Sequence, residues 1–285
     1  MSGASALWPL QLGGELRKLF ARKRTHLGFG FFLLVEFLIL FMLNLPGPKG
    51  HFRSLFQQNG YGFEQYFSGL TLGLQMVMWT TFFLGALYLA LVAGDVVAKE
   101  VEEGTMRMTL CRPVSRIRIV VLKYVACLIY TLALTGFIGL SALATGTIAH
   151  GWGGLFVLAP FEQIFAFYPS SAGLLRYLAA LPLLAMCLSS VTSLAFLFSC
   201  CDMKPAAATI VTLSIFFFDS VFHNIPYFET LKPYFITTHM ATWLNVFIDY
   251  IPWWRMTEDY AYLLALDATF LVLGAAIFAG RDFKA

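Results

Sequence analysis

Long apolar runs, separated by short polar or aromatic segments, dominate the pattern of the chain. A run of about 20 apolar residues is long enough to cross the hydrocarbon core of a bilayer as a helix. Six runs meet this length, and they cover residues 27–45, 70–94, 119–147, 174–199, 205–222 and 260–280. The pattern predicts an all-α, polytopic membrane protein with six transmembrane helices, in which residues 1–285 form a single domain.

Two further apolar stretches, 152–168 and 227–254, are interrupted by prolines and rich in Trp, Tyr and Phe. Amphipathic aromatic rings are favoured at the headgroup level of a membrane. These stretches therefore favour interfacial or re-entrant helices. A seventh span in either place would conflict with the distribution of basic residues.

The segment before the first span, 8–24, has an amphipathic pattern. Leu12, Leu16 and Leu19 recur at helical spacing, and basic residues fill the positions between them. This pattern predicts a short helix that lies along the membrane surface, with its basic face toward anionic lipid headgroups. The alternative is a disordered basic tail that only sets the topology.

Lys and Arg residues are distributed unequally between the two sides of the predicted bundle. With six spans, 14 of the 19 Lys and Arg residues fall on one side of the membrane, the side that holds the amino terminus and the link between the second and third spans. The positive-inside rule then places both termini in the cytoplasm. A seventh span would move Arg281 and Lys284 to the opposite side.

The composition supports a membrane protein. Hydrophobic residues make up 59% of the chain and charged residues only 12%, with a mean hydropathy of +0.74. A soluble domain has about 25% charged residues. The composition and the small net charge of +3 exclude a soluble enzyme, a disordered chain and a nucleic-acid-binding protein.

Motifs that would indicate catalysis are missing from the sequence. It has no phosphate-binding G-x-x-x-x-G-K-[ST] loop, no H-E-x-x-H, no G-x-S-x-G and no C-x-x-C. No two of the five histidines lie four residues apart, and the five cysteines show no disulfide or zinc spacing. We expect no catalytic residue, no metal and no cofactor in this chain, which by itself does not hydrolyse ATP.

Two carboxylates interrupt the apolar runs near the middle of the predicted spans. They are Glu36 in the first span and Asp267 in the sixth. A charge at the centre of a membrane helix costs about 2.5–3.5 kcal/mol on insertion scales, so each carboxylate requires an explanation. One explanation is contact with a substrate or an ion along a pathway. The other is a protonated or hydrogen-bonded carboxyl that joins helices through Ser or Thr partners.

The cytoplasmic link 98–116 is the most informative segment. An acidic turn ends at Gly104, and Thr105 is predicted to cap a short helix that stops before Pro113. Ser115 is predicted to cap the entry into the third span. A short helix held between two long spans, with Met and Leu on one side and charges on the other, is suited to dock into a groove of another protein.

The pattern E-x-E-x-G-T, followed by L-x-x-P-V-S-R and a later Lys, resembles the signature of ABC-2 type transporter permeases, the membrane subunits of ABC exporters. The residues that fall on the pattern are Glu100, Glu102, Gly104, Thr105, Leu110, Pro113, Ser115, Arg116 and Lys123. Glu15 with Leu16, and the closing run 278–283, add weaker matches.

This resemblance implies a type V exporter-like fold that works as a homodimer or heterodimer above two copies of an ABC ATPase, which bind ATP and Mg. The link would be the coupling helix that enters the ATPase, 8–24 an elbow helix and 223–259 an extracellular cap. The implied ATPase-coupling residues are Glu100, Glu102, Glu103, Gly104, Thr105, Met106, Met108, Leu110, Arg112 and Pro113.

The function that follows is a permease subunit of the cell (inner) membrane that couples ATP hydrolysis to export of an unidentified substrate. Membrane lipid is an expected partner and nucleic acid is not. The outer segments 148–173 and 223–259 exceed those of minimal family members, which suggests contact with a substrate or an extracytoplasmic partner. Two alternatives are a mechanical-transmission or assembly subunit that moves no solute, and an intramembrane enzyme using Glu36 or Asp267.

Overall fold

Helices dominate the computed structural model, which describes residues 3–111 and 114–281. The α-helices are α1 (Gly3–Phe20), α2 (Lys23–Leu43), α3 (Pro46–Gln58), α4 (Phe63–Tyr66), α5 (Gly69–Thr80), α6 (Ala86–Glu102), α7 (Thr105–Leu110), α8 (Arg116–His150), α9 (Ser170–Cys200), α10 (Pro205–Asn224), α11 (Ile236–Met240) and α12 (Trp253–Gly280). All six apolar runs are helical, apart from the last two residues of the first run. The all-α polytopic prediction is confirmed.

Within the described ranges, five single helices are long and apolar enough to cross a membrane, namely α2, α8, α9, α10 and α12. The second predicted span is occupied by α5, a five-residue π-helical segment at Thr81–Gly85, and α6, which follow one another without a break. A π turn is a local widening of a helix. The count of six spans stays a prediction, because it requires this interrupted run to cross as one.

Helix α9 forms the centre of the bundle. Within its most apolar window 78% of the residues are buried, against 17% for α10. The Ser199 hydroxyl of α9 accepts hydrogen bonds from the backbone N–H groups of Val97 and Ala98, both at 3.0 Å. Because α9 is surrounded by other helices, its polar side chains can find partners only within the protein.

One end of the bundle, here called the aromatic end, contains α3, α4 and the segments 151–169 and 225–252. Phe52 and Phe56 of α3 pack edge-on against Phe156, with ring centroids 6.3 and 4.8 Å apart. Edge-to-face pairs of this kind stabilise packing beyond the area that they bury. The rings therefore tie α3 to the segment that follows α8.

That segment forms a β-hairpin, so the prediction of an interfacial or re-entrant helix over 152–168 is wrong. Strands β1 (Leu155–Ala159) and β2 (Ile164–Tyr168) pair antiparallel. Their aromatic and β-branched residues favour extended structure. Pro160 opens the connecting turn, and Gln163 closes it in a left-handed conformation with φ of 56°.

The second outer stretch forms short helices, none of which is long enough to span a bilayer. These are the 3-10 turns Pro226–Tyr234 and Thr242–Phe247 and helix α11. Arg176 of α9 anchors the stretch by donating to the carbonyl oxygens of Val246 and Ile248, at 2.6 and 2.7 Å. The position of these short helices at the headgroup level stays a prediction.

A histidine connects this outer stretch to α12. The Nδ1 atom of His239 lies 2.7 Å from Asp259 Oδ1, and its Nε2 atom lies 2.9 Å from the carbonyl oxygen of Pro233. A carboxylate and a carbonyl oxygen both accept, so both ring nitrogens must carry protons. Burial lowers the pKa of His239, but these hydrogen bonds and the Asp259 charge raise it by more, and the pKa lies above its usual value.

We predict that the imidazolium holds the outer stretch on α12 in a pH-dependent manner. A raised folded-state pKa contributes stability that is fully present below the ordinary pKa, near 6.5, and is lost as the pH rises through the folded value. Asp259→Asn should destabilise the chain by about 1.5–3 kcal/mol at low pH, and less at high pH. Denaturant unfolding of both proteins across the pH range measures this difference.

The matched control for this experiment is Glu229→Gln. Glu229 lies 3.7 Å from Lys232, and its side chain is largely exposed. An exposed ion pair contributes little, so this variant should show no such pH dependence. If the effects of the two variants follow the same pH curve, His239 does not hold the segment.

Candidate functional site

The candidate site is the link between α6 and α8. Gly104 ends α6 with φ of +72°, a left-handed conformation that favours glycine, and no atom lies near the position of an added Cβ. The predicted cap at Ser115 is confirmed, since its hydroxyl accepts from the Arg118 N–H at 3.3 Å and Arg116 begins α8. This end of the bundle, with α1, α7 and the adjoining ends of α6, α8 and α12, is called the basic end.

Thr105 is the first residue of α7, and its hydroxyl donates to the carbonyl oxygen of Glu100 at 3.2 Å. The side chain therefore bridges the glycine turn. The cap at Thr105 stays a prediction. This contact makes α7 a continuation of α6 around the corner at Gly104.

A buried ion network lies directly behind this corner. Lys123 of α8 is 1% exposed, and its Nζ atom donates to Glu100 Oε1 of α6 at 2.7 Å and to Glu15 Oε2 of α1 at 2.9 Å. Lys18 of α1 donates to Glu15 Oε1 at 2.7 Å and lies 3.7 Å from Glu100 Oε1. Two carboxylates and two ammonium groups thereby join three helices.

The electrostatics favour the charged forms of the two network residues on α1. Burial raises the pKa of Glu15, but Lys123 and Lys18 lower it by more, so the pKa lies below its usual value. Burial lowers the pKa of Lys18, and Glu15 and Glu100 raise it by more. The two groups on α1 are therefore held in their charged forms at neutral pH.

Further charged side chains form ion pairs and hydrogen bonds at the basic end, beside the network. Arg24, near the start of α2, pairs with the buried Asp95 of α6 at 2.8 Å. Arg281, just after α12, bonds to Asp202 and to the carbonyl oxygen of Cys201, and Arg116 bonds to the Arg281 carbonyl oxygen at 2.9 Å. The segment before α2 and the end of α12 thus lie at the same end of the bundle.

A polar cleft of about 360 Å³ opens between α1 and the link. It is lined by Lys18, Ala21, Arg22, Glu100, Glu103, Thr105 and Thr109. One carboxylate oxygen of Glu100, Oε2, is buried here and has no partner among the described residues.

The structure separates the two methionines of α7. Met106 is 1% exposed and belongs to the core of this chain, whereas Met108 is 68% exposed. Glu102 and Glu103 are also exposed, and Glu100 is buried. Among the predicted coupling residues whose side chains the structure describes, Met108, Glu102 and Glu103 are therefore exposed, whereas Met106 and Glu100 are buried.

The remaining coupling residues of the sequence analysis are less completely described. Leu110 is the last residue of α7. Arg112 and Pro113 lie outside the described residues. Their roles stay predictions.

The two intramembrane carboxyls lie away from this link. Glu36 of α2 is 0% exposed and faces Ser141 of α8, and Asp267 of α12 is 4% exposed and faces Ser189 of α9. A substrate or ion contact at either position stays a prediction. Among residues 3–111 and 114–281 no group of three or more His, Cys, Asp or Glu could hold a metal ion.

Sequence reasoning missed the ion network, although its separate parts were visible. Glu15, Glu100 and Lys123 all fell on the family pattern, but nothing in the local sequence predicts that residues 108 positions apart meet. Lys18 appeared only as one basic residue among several. Its position three residues after Glu15, on the same face of a helix, was the one available signal.

A family model described as an ABC-2 family transporter protein matches residues 15–282. No curated protein matches the chain.

We predict that removal of the buried ammonium destabilises the bundle. Lys123→Ala leaves Glu15 and Glu100 near each other with only the half-exposed Lys18 as a shared cation. Breaking a buried pair in this way costs about 3–5 kcal/mol. Unfolding of the purified chain in detergent measures the loss.

The matched control is Lys99→Ala. Lys99 lies 3.9 Å from Glu103 on the surface of α6, with side-chain exposures of 30% and 54%. Its loss should cost less than about 1 kcal/mol. Equal effects of the two variants would show that the network does not hold the helices together.

Proposed function

Because the chain belongs to the ABC-2 transporter family, we propose that it is the membrane-spanning permease subunit of an ABC exporter and couples ATP hydrolysis by a separate ATPase to export of a substrate still to be identified. Family membership supports the permease role. The sequence has no phosphate-binding loop motif, and we therefore assign ATP and Mg to the partner ATPase.

One observation carries the proposed coupling. The corner at Gly104 continues α6 into α7, and Glu100, four residues before the corner, is bonded to Lys123 and through it to Glu15. Parting a buried ion pair is costly, so a force on α7 acts on α1, α6 and α8 together. This linkage supports α7 as the element on which an ATPase acts.

The exposed side of the link defines the surface that the ATPase would contact. It offers the apolar side chain of Met108 beside the carboxylates of Glu102 and Glu103. A short helix of this kind fits a groove with an apolar floor and a basic rim. We extend the proposed contact to Leu110, Arg112 and Pro113, the next residues of the link.

The assembly is proposed from the family and from the unequal burial of the helices. Permeases of this kind work in pairs, and we propose a homodimer or a heterodimer with a second permease, with one ATPase per half. Helix α10 has the least buried apolar window of the five long helices, at 17%, and leaves apolar surface for lipid or for the second subunit. We place the protein in the cell (inner) membrane with both termini in the cytoplasm.

The anchored aromatic end favours a second candidate function, in which the same ATPase-driven motion acts on an extracytoplasmic partner without moving a solute. Arg176 ties the outer stretch to the central helix α9 through the carbonyl oxygens of Val246 and Ile248, and its guanidinium lies 4.3 Å from the centre of the Tyr168 ring. Motion of α9 would therefore reach the outer surface.

We predict that Gly104→Val uncouples the ATPase. A residue with a β-carbon pays about 1–2 kcal/mol in a left-handed conformation, so the corner rotates and the orientation of α7 changes. The measurement is the amount of ATPase that co-purifies with the chain from native membranes, together with the ATP hydrolysis of the complex. Both should fall.

Gly60→Val supplies the control at the opposite end. Gly60 has φ of +76°, with no atom near an added Cβ, so the substitution introduces the same backbone strain outside the link. It should leave ATPase binding and hydrolysis unchanged. If the two valine variants behave alike, or if the intact chain never binds an ABC ATPase, the coupling proposal fails.

Arg176→Ala distinguishes the two candidate functions. It releases the outer stretch and leaves the basic end intact, so ATPase binding should persist. Loss of an extracytoplasmic partner with no change in solute export would support mechanical transmission. Loss of export of a small solute would support the exporter, which is the result that we expect.

A further inference from the structure

The intramembrane carboxyls face serine hydroxyls of a neighbouring helix, Ser141 for Glu36 and Ser189, Ser190 and Ser193 for Asp267, and neither has an ion-pair partner among the described residues. The salt bridges of the described chain include neither Glu36 nor Asp267. The other titratable groups near Asp267 are Tyr124 and Cys187, and the one near Glu36 is Tyr177. None of these neighbours carries a positive charge.

Counting protons at Asp267 identifies the donor. The Ser189 hydroxyl oxygen lies 2.6 Å from Asp267 Oδ2 and also 2.6 Å from the carbonyl oxygen of Met186. A hydroxyl has one proton, and a hydrogen bond requires that proton to point along the line to its acceptor. With the Ser189 proton on the Met186 carbonyl, which can only accept, the proton between Ser189 and Asp267 comes from Asp267.

The same count applies to Glu36. The Ser141 hydroxyl oxygen lies 2.8 Å from Glu36 Oε1, 2.8 Å from the carbonyl oxygen of Phe137 and 3.2 Å from that of Ile138. The carbonyl oxygens again can only accept. With the Ser141 proton on one of these carbonyl oxygens, the proton between the serine and the carboxyl comes from Glu36.

A third serine, Ser193, also lies between a backbone carbonyl oxygen and the side chain of another helix. That side chain is the phenol of Tyr124, which carries a proton. The Ser193 hydroxyl donates to the carbonyl oxygen of Ser189 at 2.8 Å, and the phenol oxygen of Tyr124 lies 2.8 Å from it. Here the phenol O–H is the second donor. Glu36 and Asp267 are positioned relative to Ser141 and Ser189 as the Tyr124 phenol is relative to Ser193.

We propose that Glu36 and Asp267 are proton-binding sites, in which each carboxyl is held as a neutral acid that donates its proton to Ser141 or Ser189. The ligand is a proton, and the hydrogen bonds join α2 to α8 and α12 to α9. A neutral acid avoids the cost of an unpaired charge in the bilayer. The inference stands whether or not the chain couples to an ATPase.

The second oxygen of each carboxyl agrees with a neutral acid. Asp267 Oδ1 and Glu36 Oε2 are buried without a hydrogen-bond partner among the described residues. In an acid this oxygen is an uncharged carbonyl oxygen, whose isolation costs far less than that of an ionised carboxylate. For Asp267 the hydroxyls of Ser190 and Ser193 are also close by, and both residues are buried.

Infrared difference spectroscopy of the full chain in lipid nanodiscs at neutral pH tests the proposal. Protonated carboxyls absorb above the amide band and shift in D₂O, whereas ionised carboxylates absorb below it. Asp267→Asn and Glu36→Gln should each remove one protonated-carboxyl band. Asp219→Asn is the control, because Asp219 accepts from the Ile236 and Thr237 N–H groups at the aromatic end, and it should remove only carboxylate absorption.

Two further measurements keep the proposal falsifiable if the carboxyl variants fail to fold. Ser189→Ala and Ser141→Ala should each move one protonated-carboxyl band to higher frequency, since each removes one hydrogen bond. Replacing choline chloride by sodium chloride should leave the wild-type bands unchanged. Absence of these bands from the wild-type chain, or their conversion to carboxylate absorption on adding sodium, would overturn the proposal and indicate a cation site instead.

Discussion

An ammonium group buried at the base of an apolar bundle is the constraint on which the arrangement of the basic end depends. Lys123 cannot be left without counter-charges, and its own helix supplies none of the carboxylates that it contacts. One comes from α1, before the first span, and the other from α6, just before the link. The Lys123 ammonium therefore determines where the amino-terminal helix lies and fixes the corner from which α7 projects. Three segments distant in sequence, α1, α6 and α8, meet at this one group.

The two ends of the bundle are stabilised by different interactions. At the basic end, ion pairs connect helix termini, and the exposed surface consists of a short helix with outer glutamates. At the aromatic end, ring packing and backbone hydrogen bonds to Arg176 hold a β-hairpin and a series of short helices. Between the ends the helices pack through apolar side chains, and the side-chain hydrogen bonds between them come mainly from hydroxyl groups, with two carboxyls among their partners.

The sequence predicts the features that depend on local pattern and leaves out those that depend on distant contacts. Apolar length predicted the helices, and the position of Ser115 predicted the start of α8, because both are properties of a few adjacent residues. The hairpin at 155–168 was mistaken for a helix, because a short apolar aromatic run is compatible with either structure until its partner strand is known. The burial of Met106 and the meeting of Glu15 with Lys123 could not be predicted at all, since each depends on how α1 and α7 pack against other helices. Substrate recognition is equally non-local.

The π-helical segment at Thr81–Gly85 changes the direction in which the later side chains of the second predicted span point. A wide turn holds one residue more than an α-helical turn, and each residue of an α-helix advances by about 100° around the axis. The side chains of α6, including Asp95 and Glu100, are thus rotated by roughly that angle relative to α5, compared with an uninterrupted helix. The alignment of Glu100 with Lys123 depends on that extra residue. Deleting one residue within Thr81–Gly85 would therefore turn Glu100 away from Lys123, although every residue of the ion network would still be present.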